Sequence, residues 1–416
     1  MIMGDNPVPH YHFHLAAGLT YSFKRKFDMR KHQRIMRRRS FLLGLGAFTT
    51  AASASCSATK TQTFDNPDRD FSIAGTASLH ERAAAKGLTY GTFSEAQGQQ
   101  FIENPELQNA FLKDSGLMVG GFYWNRTRPT ESTFDWSLPN PLYEFAVEHN
   151  KLFRGHPLVW HKLYPSWMGE KLRAADTKAS DIEAVLDRHI STIVRHYAGK
   201  VHSWDVVNEA IKPEDGRDDG LRATPWLYHL GSDYIDLAFR IASEADPKAL
   251  LVYNEYGLEY DNRDHRARRS STLKLLESLK AKGTPVHALG TQSHLRGDQS
   301  KEDLKQLRSF LSDVASLGLK ILVTELDVQD AMLPRDPKLR DRIVAGVYED
   351  YLSVVLDEPA VTTVITWGLS DRYTWLSWYK PRDDGAAVRP LPLDDKLNRK
   401  LAWNAIARAF DQSPKR

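Results

Sequence analysis

From Thr89 onward the chain repeats one unit eight times, and this repetition limits the fold more than any other feature. Each unit is a short apolar, β-branched run followed by an amphipathic stretch. The runs are Thr89–Ser94, Leu117–Tyr123, Lys151–Trp160, Val201–Glu209, Leu250–Tyr256, Ala288–Leu295, Lys320–Val328 and Thr363–Ser370. Between them, segments such as Asp181–Tyr197, Tyr234–Glu244, Thr272–Lys282, Glu302–Leu317 and Arg340–Leu356 carry apolar residues at spacings of three and four, the helical period. Asp181 and Asp233 suit N-caps or first-turn acids, Gly199, Gly283 and Gly318 suit C-terminal stops, and Leu397–Phe410 reads as a closing helix. Eight strand-then-helix units predict an α/β fold, a single TIM-type (β/α)8 barrel. The runner-up, an open doubly wound sheet, would call for a glycine-rich phosphate loop after the first strand, which is missing. No Pro/Ser/Gly-rich linker interrupts residues 65–416, which are read as one domain behind a leader of residues 1–64.

Two of the runs end abruptly in acid: Trp204-Asp205-Val206-Val207-Asn208-Glu209 and Val323-Thr324-Glu325-Leu326-Asp327. An interior of Val-Val or Ile-Leu-Val-Thr favours burial, whereas a terminal carboxylate needs water or a partner. Parallel strands would therefore deliver Glu209 and Glu325 to one rim, and paired carboxylates at a rim suit glycoside hydrolysis. The other ends are similarly loaded, with His156 and His161 after strand three, Asn254-Glu255-Tyr256 after strand five, Gln292-Ser293-His294 after strand six and Trp367 after strand eight. A lone strand-end histidine is usually structural; six consecutive strands ending in polar or aromatic residues point to a site.

Charge narrows the partners. Residues 1–39 hold nine Lys/Arg against Asp5 and Asp28, a net of +7, which leaves −4 for residues 40–416 of a chain whose total is +3. The basic stripe thus lies in the leader, and nucleic-acid binding by the body is not expected. Cys56 is the only cysteine, which excludes an intramolecular disulfide and a Cys-based metal site.

Within the leader, Arg38-Arg39-Ser40-Phe41-Leu42 and the Gly/Ala-softened segment after it resemble a twin-arginine export signal, with a cleavage site at Ala52-Ser53-Ala54. The segment is too short and too weakly apolar to form a stable membrane span. Cys56 could instead carry a lipid anchor, although Ser53 stands where such signals hold a bulky apolar residue. Met36 precedes the arginines, so residues 1–35 suit an upstream start, and His10, His12 and His14 read as a tail in preference to a metal site.

Five segments carry a family resemblance: Gly155-His156-Pro157-Leu158-Val159-Trp160-His161, Trp204–Ala210, Gly290-Thr291-Gln292-Ser293-His294-Leu295, Thr324-Glu325-Leu326-Asp327, and Trp367-Gly368-Leu369-Ser370-Asp371 with Trp375. In this order they resemble the motifs of glycoside hydrolase family 10, the barrel family of endo-β-1,4-xylanases, from about Gly91 to Trp403. The resemblance implies that Glu209 is the general acid/base and Glu325 the nucleophile of a retaining double displacement, in which the carboxyls stand about 5–5.5 Å apart. In such a pair the second carboxylate keeps the acid protonated by like-charge repulsion, and formation of the glycosyl ester frees it to act as base. The resemblance also implies that Asn208 binds the sugar 2-hydroxyl and that His294 holds Glu325 ionised. His156 and Gln292 would line the cleaved sugar's subsite with Trp367 and Trp375 walling it, Trp160 would bind substrate, and Tyr256 would stack a sugar on the leaving-group side. Asp327 reads equally as a partner of His294 or as a surface residue.

One segment departs from the family. After strand two, members carry Glu-Asn-x-x-Lys-Trp, whose polar residues grip sugars on the non-reducing side, and this chain reads Val119-Gly120-Gly121-Phe122-Tyr123-Trp124. Each lost hydrogen bond is worth about 0.5–1.5 kcal/mol. Asn125, Arg126 and Arg128 are candidates for replacement contacts, and Gly257 stands where members usually have Asn. The expectation is an exported, monomeric retaining endo-β-1,4-xylanase acting on xylan-type poly- or oligosaccharide, with no cofactor and no metal. The alternatives are a glycosidase of the same mechanism acting on decorated xylan or another β-glycan, and a non-catalytic carbohydrate-binding protein.

Overall fold

The computed structural model describes residues 68–94 and 99–416; the export motif, Cys56 and the leader histidines lie outside them. Nine strands follow in chain order: β1 (Thr89–Phe93), β2 (Leu117–Gly121), β3 (Leu152–His156), β4 (Ser203–Asn208), β5 (Leu250–Glu255), β6 (Ala288–Thr291), β7 (His294–Arg296), β8 (Lys320–Gln329) and β9 (Val361–Thr366). Every pairing between them is parallel. Neighbours run from β1 to β6, then β6 pairs with β8, β8 with β9, and β9 with β1, which closes an eight-stave barrel. The three-residue β7 extends the sixth stave along β8, pairing His294 with Asp327. All eight expected strands are present, and the expected barrel is the observed one.

Strand alternation sorts the side chains. Val364 joins the large cluster beneath the helices, whereas the next residue, Ile365, packs with Phe93, Leu117 and Val119 in a separate cluster. A third cluster, Val252, Ala288 and Leu322, comes from adjacent staves. Helices cover the outside. Ala179–His196 buries Ile182, Val185, Leu186, His189, Ile190, Ile193 and Val194 on one face. Asp181 lies in its first turn, where its carboxylate accepts from Lys178 N at 3.0 Å. Gly199, Gly283 and Gly318 all take positive φ just past helix ends, as expected of C-terminal stops. Asp233 precedes the helix Tyr234–Ala245 without capping it and pairs instead with Lys282 at 2.5 Å.

Two helical segments depart furthest from the sequence reading. The helix expected from Thr272 starts at Arg263, because Asn262 caps His265 N at 2.9 Å and the polar first turns are anchored by buried arginines. Arg269 donates to the Leu258 and Tyr260 carbonyls at 2.9 and 2.8 Å, contacts that apolar periodicity cannot register. The segment Glu302–Leu317 is split, with a 3-10 turn at Lys301–Leu304 followed by a helix at Leu307–Ser316. The closing helix Leu401–Gln412 packs on Pro337–Val355. Arg69 fastens the amino-terminal segment to the same helix through Gly346 O at 2.8 Å and Asp350 at 2.9 Å. Among the described residues no helix is long and apolar enough to cross a membrane.

Close packing of β3 on β4 depends on Gly155, since a Cβ there would run into the fully buried ring of Trp204. Gly155→Ala is expected to lower stability by about 1–3 kcal/mol through overpacking. Urea denaturation measures this, and an unchanged midpoint would mean that the Trp204 ring can retreat.

Candidate active site

The carboxyl-terminal ends of the staves converge on Glu325, which is 5% exposed. Its Oε1 accepts from Asn254 Nδ2 at 2.8 Å, its Oε2 faces His294 Nε2 at 3.1 Å, and His156 Nδ1 is 3.9 Å away. Burial alone would push this carboxyl up. The hydrogen bond from His294 and the fields of His156 and His294 outweigh it and hold Glu325 below its ordinary value. Burial likewise opposes charge on His294, but Asp327 and Glu325 overcome it and raise the imidazole well above its usual value. Both ring nitrogens face carboxylates, Nδ1 lying 2.9 Å from Asp327, so His294 is a doubly donating imidazolium. Asp327 is fully buried and also accepts from Trp375 Nε1 at 2.8 Å, which makes it a partner of His294 and not a surface residue.

Local backbone irregularities aim these groups. The pairing of β8 with β9 slips between Val323 and Leu326, inserting an extra residue in β8. Thr324 and Glu325, consecutive in the chain, consequently both reach Asn254, with Thr324 Oγ1 donating to Asn254 Oδ1 at 2.6 Å. A second slip lies in β4 between Asp205 and Val207. Immediately after β4, Glu209 takes a left-handed φ of +58°, and Ser293 takes +64° between β6 and β7. Such non-glycine conformations persist only where neighbours enforce them. Glu209 N donates to Asn254 O at 2.9 Å, and Arg222 Nε donates to Glu209 O at 2.8 Å. Ser293 N donates to buried Glu259 at 3.2 Å, and the Ser293 hydroxyl meets Tyr351 OH at 2.5 Å.

Glu209 is 8% exposed, and its Oε1 accepts from Gln292 Nε2 at 3.3 Å and Asn208 Nδ2 at 3.4 Å. Lys162 Nζ lies 4.0 Å from Oε2. Asn208 Oδ1 in turn accepts from Asn254 at 2.9 Å and Gln292 at 3.3 Å, so short polar contacts join the two carboxylates through Asn208 and Asn254. His156 is fixed by Asp205 at 2.8 Å, and Arg154 also donates to Asp205. Glu255, pushed up to about 7 by burial, accepts from Ile211 N at 2.9 Å and Tyr253 OH at 2.6 Å and so pins the turn beyond Glu209.

Aromatic rings wall the site. Trp367 stacks on Phe93 at 4.2 Å and meets the His156 ring edge-on at 5.1 Å. Trp375 stands 5.0 Å from the His294 ring, and Trp160 lies 6.0 Å from Tyr123. Tyr256 receives a hydrogen bond from Arg222 at 3.0 Å, and Arg268 sits 4.3 Å over its ring. Gly257 leaves room for that arginine, since a Cβ there would come within 3.1 Å of it at a φ of +68°. The structure thus gathers Glu209, Glu325, His156, Trp160, Asn208, Tyr256, Gln292, His294, Trp367 and Trp375 around one rim.

The departing segment begins within β2, and its first residues are buried. Val119 is buried among Phe93, Leu117 and Ile365, against which Trp367 packs. Tyr123 leans over Gly121, where a Cβ would lie 3.0 Å from its ring, and meets the His156 ring nearly perpendicular at 5.8 Å. Burial raises its phenol, and Glu325 adds to the effect, so Tyr123 stays protonated beside the carboxylates. Arg128 does not supply a replacement contact: it is 1% exposed and spends its donors on the Val185 and Glu131 carbonyls. Sequence reasoning gave Asn254 no role beyond that of a polar strand end, whereas the structure places it between Asn208, Thr324 and Glu325. Among the described residues no cluster of three or more His, Cys, Asp or Glu is arranged to hold a metal ion.

Fold and site together define a class, a (β/α)8 barrel with a linked pair of buried carboxylates at the carboxyl-terminal rim. Residues 78–409 match glycosyl hydrolase family 10, and the chain belongs to that family. It is 36% identical over 312 residues to endo-1,4-beta-xylanase C of Paenibacillus barcinonensis, covering 70% of this chain and 28% of that protein. It is 38% identical over 264 residues to endo-1,4-beta-xylanase A of Caldicellulosiruptor sp. (strain Rt8B.4), covering 60% and 37% respectively. The chain therefore spans well under half the length of these two relatives. Among solved structures, xylanase 10B of Thermotoga petrophila RKU-1 in complex with xylobiose superposes with a TM-score of 0.72 at 28% identity, over 82% of this chain and 99% of that one.

The raised His294 contributes stability that is fully present below the unfolded imidazole value of about 6.5 and is lost as pH rises through the folded value. Asp327→Asn removes one of its two carboxylates and should make the imidazole titrate at lower pH, measured by ¹⁵N NMR. The stability gap between wild type and variant should stay constant until pH reaches the variant's folded value, and close between that value and the higher wild-type one. An unchanged titration would assign the effect to Glu325 alone.

Proposed function

We propose that this chain is a retaining endo-β-1,4-xylanase that hydrolyses internal bonds of xylan. The observation that carries the reading is Glu325, a buried carboxylate kept ionised by His294 and joined through Asn254 and Asn208 to Glu209. Glu325 attacks the anomeric carbon while Glu209 protonates the departing glycosidic oxygen. The resulting glycosyl ester is then attacked by water that Glu209 deprotonates, which releases sugar and Glu325 with retained configuration. Asn208 binds the 2-hydroxyl, His156, Trp160, Gln292, Trp367 and Trp375 line the cleaved sugar's subsite, and Tyr256 stacks the leaving sugar. Membership of family 10 and relatives named as endo-1,4-beta-xylanases support the substrate class.

The apolar surroundings of Val119 favour one second reading, the same mechanism directed at a decorated xylan or another β-glycan. Product analysis on plain xylan, acid-decorated xylan and mixed β-glucans separates the two. Short xylo-oligosaccharides from plain xylan support the first; activity confined to another substrate moves the name and keeps the mechanism.

Glu325→Gln should reduce turnover to the blank on every sugar substrate, and substantial residual activity would sink the nucleophile assignment. Glu209→Ala should lower kcat/KM on xylo-oligosaccharides by about 10²–10⁴-fold, and far less on aryl glycosides, whose leaving groups need little protonation. Equal losses on both would remove Glu209 as the acid. The leader of residues 1–64 exports the domain of residues 65–416 through a twin-arginine route, and the mature protein acts as a monomer. Replacing Arg38 and Arg39 by lysine should leave the protein in the cytoplasm, measured by cell fractionation; undiminished export would exclude that route.

A further inference from the structure

Beyond the carboxylates, the loop after β9 carries an aromatic group that the mechanism does not use. Trp375 is followed by the single helical turn Leu376–Tyr379, which brings Trp378 and Tyr379 beside it. Tyr379 stacks on Trp375, with centroids 4.5 Å apart and planes at 22°, and Lys380 sits 5.4 Å over the Tyr379 ring. Tyr379, 51% exposed, thereby buttresses Trp375 with one face of its ring. Trp378 stands on edge to both neighbours, 6.2 Å from Trp375 at 72° and 6.2 Å from Tyr379 at 77°. It is 67% exposed, whereas Trp204, Trp226 and Trp403 lie in the core at 1% or less. An indole held by other rings yet open to water is a large apolar surface prepared for a partner.

Its place in the barrel says which part of a ligand it meets. Closure in the order β1-β2-β3-β4-β5-β6-β8-β9 puts β9 four staves from β4 in either direction. Glu209 follows β4 and meets the leaving group, so the loop after β9 lies across the cleft, on the side of the sugars that Glu325 retains. That is also the side where Val119 stands in place of a family grip, buried with Phe93 beneath Trp367. A buried valine cannot reward sugar hydroxyls, but an exposed indole can stack on the flat, hydrogen-bearing face of an equatorially linked pyranose. Trp375 ties this surface to the catalytic centre through Asp327 at 2.8 Å.

We propose that Trp378 is a stacking platform for an additional β-linked pyranose on the non-reducing side of the cleaved sugar, replacing polar recognition there. The proposal rests on the glycosidase reading for the direction of the chain, and its test separates the two. Xylotetraose is titrated calorimetrically into the full chain carrying Glu325→Gln, alone and with Trp378→Ala or Trp378→Phe, so that binding is read without turnover. In active protein, kcat/KM is compared on the aryl β-glycosides of xylose, xylobiose and xylotriose, which share a leaving group and lengthen only on the retained side. Trp378→Ala should weaken xylotetraose binding by about three- to tenfold and remove a similar factor from the gain on lengthening the glycoside, mainly through KM. Trp378→Phe should keep most of both. An unchanged dissociation constant in Trp378→Ala, or no binding by the parent, overturns the platform. Binding that depends on Trp378 in a protein inactive on all three glycosides leaves the platform standing and sinks the catalytic reading instead.

Discussion

The structure turns on keeping one carboxylate charged while hiding it from water. An ionised group buried to the extent of Glu325 is costly unless partners satisfy it, and both of its oxygens are engaged by donors from other staves, Asn254 on β5 and His294 on β7. That demand spreads outward. His294 donates to Glu325 while its other nitrogen faces Asp327, a pairing that favours the cation; Asp327 in turn holds Trp375, and Trp375 stacks on Tyr379. A chain of single contacts therefore links the charge at the barrel mouth to an aromatic surface at its edge.

Regular strands could not assemble this arrangement. In an unbroken strand consecutive side chains point to opposite faces, so Thr324 and Glu325 could not both address Asn254. The extra residue in β8 lifts that restriction, and the left-handed backbone at Glu209 and Ser293 redirects the chain at two other staves. Each irregularity has a lock. Asn254 O and Arg222 hold the Glu209 turn, Glu255 holds the turn beyond it, and Glu259 with Tyr351 holds Ser293. Buried polar groups around the mouth are thus largely supports for unusual backbone, which explains why the site's polar residues outnumber those needed for two-carboxylate chemistry.

The sequence revealed the barrel because β-branched runs and helical periodicity are local properties, and Leu250–Glu255 or Ala179–His196 state their type within a few residues. Residues at strand ends were legible for the same reason, since Glu209, His294 and Trp367 break apolar runs where apolar residues would otherwise continue. What escaped depends on contacts between distant elements. Arg128 sits two residues from Arg126 and three from Asn125, both plausible ligand-binding side chains, yet it is consumed by the carbonyl of Val185, on a helix distant in sequence. Asn254 looks like any polar strand end until β4 and β8 are placed beside it. The early start of the helix at Arg263 was hidden because arginines occupy the face that periodicity expects to be apolar.

The two halves of the cleft follow different physics. Around Glu325 and Glu209, recognition is polar and nearly every donor has a partner, so small displacements there leave buried groups unsatisfied at about 1–3 kcal/mol each. Across the cleft, Trp367 and the rings after β9 offer area and few directional bonds. Apolar and aromatic contact tolerates changes of hydroxyl pattern that a hydrogen-bonding grip would reject, because stacking responds to ring faces. On the proposed function, a barrel built this way would hold its reaction fixed through Glu325 while surface shape sets its choice of sugar on the retained side. Fidelity of chemistry and breadth of recognition then reside in separate residues of one rim.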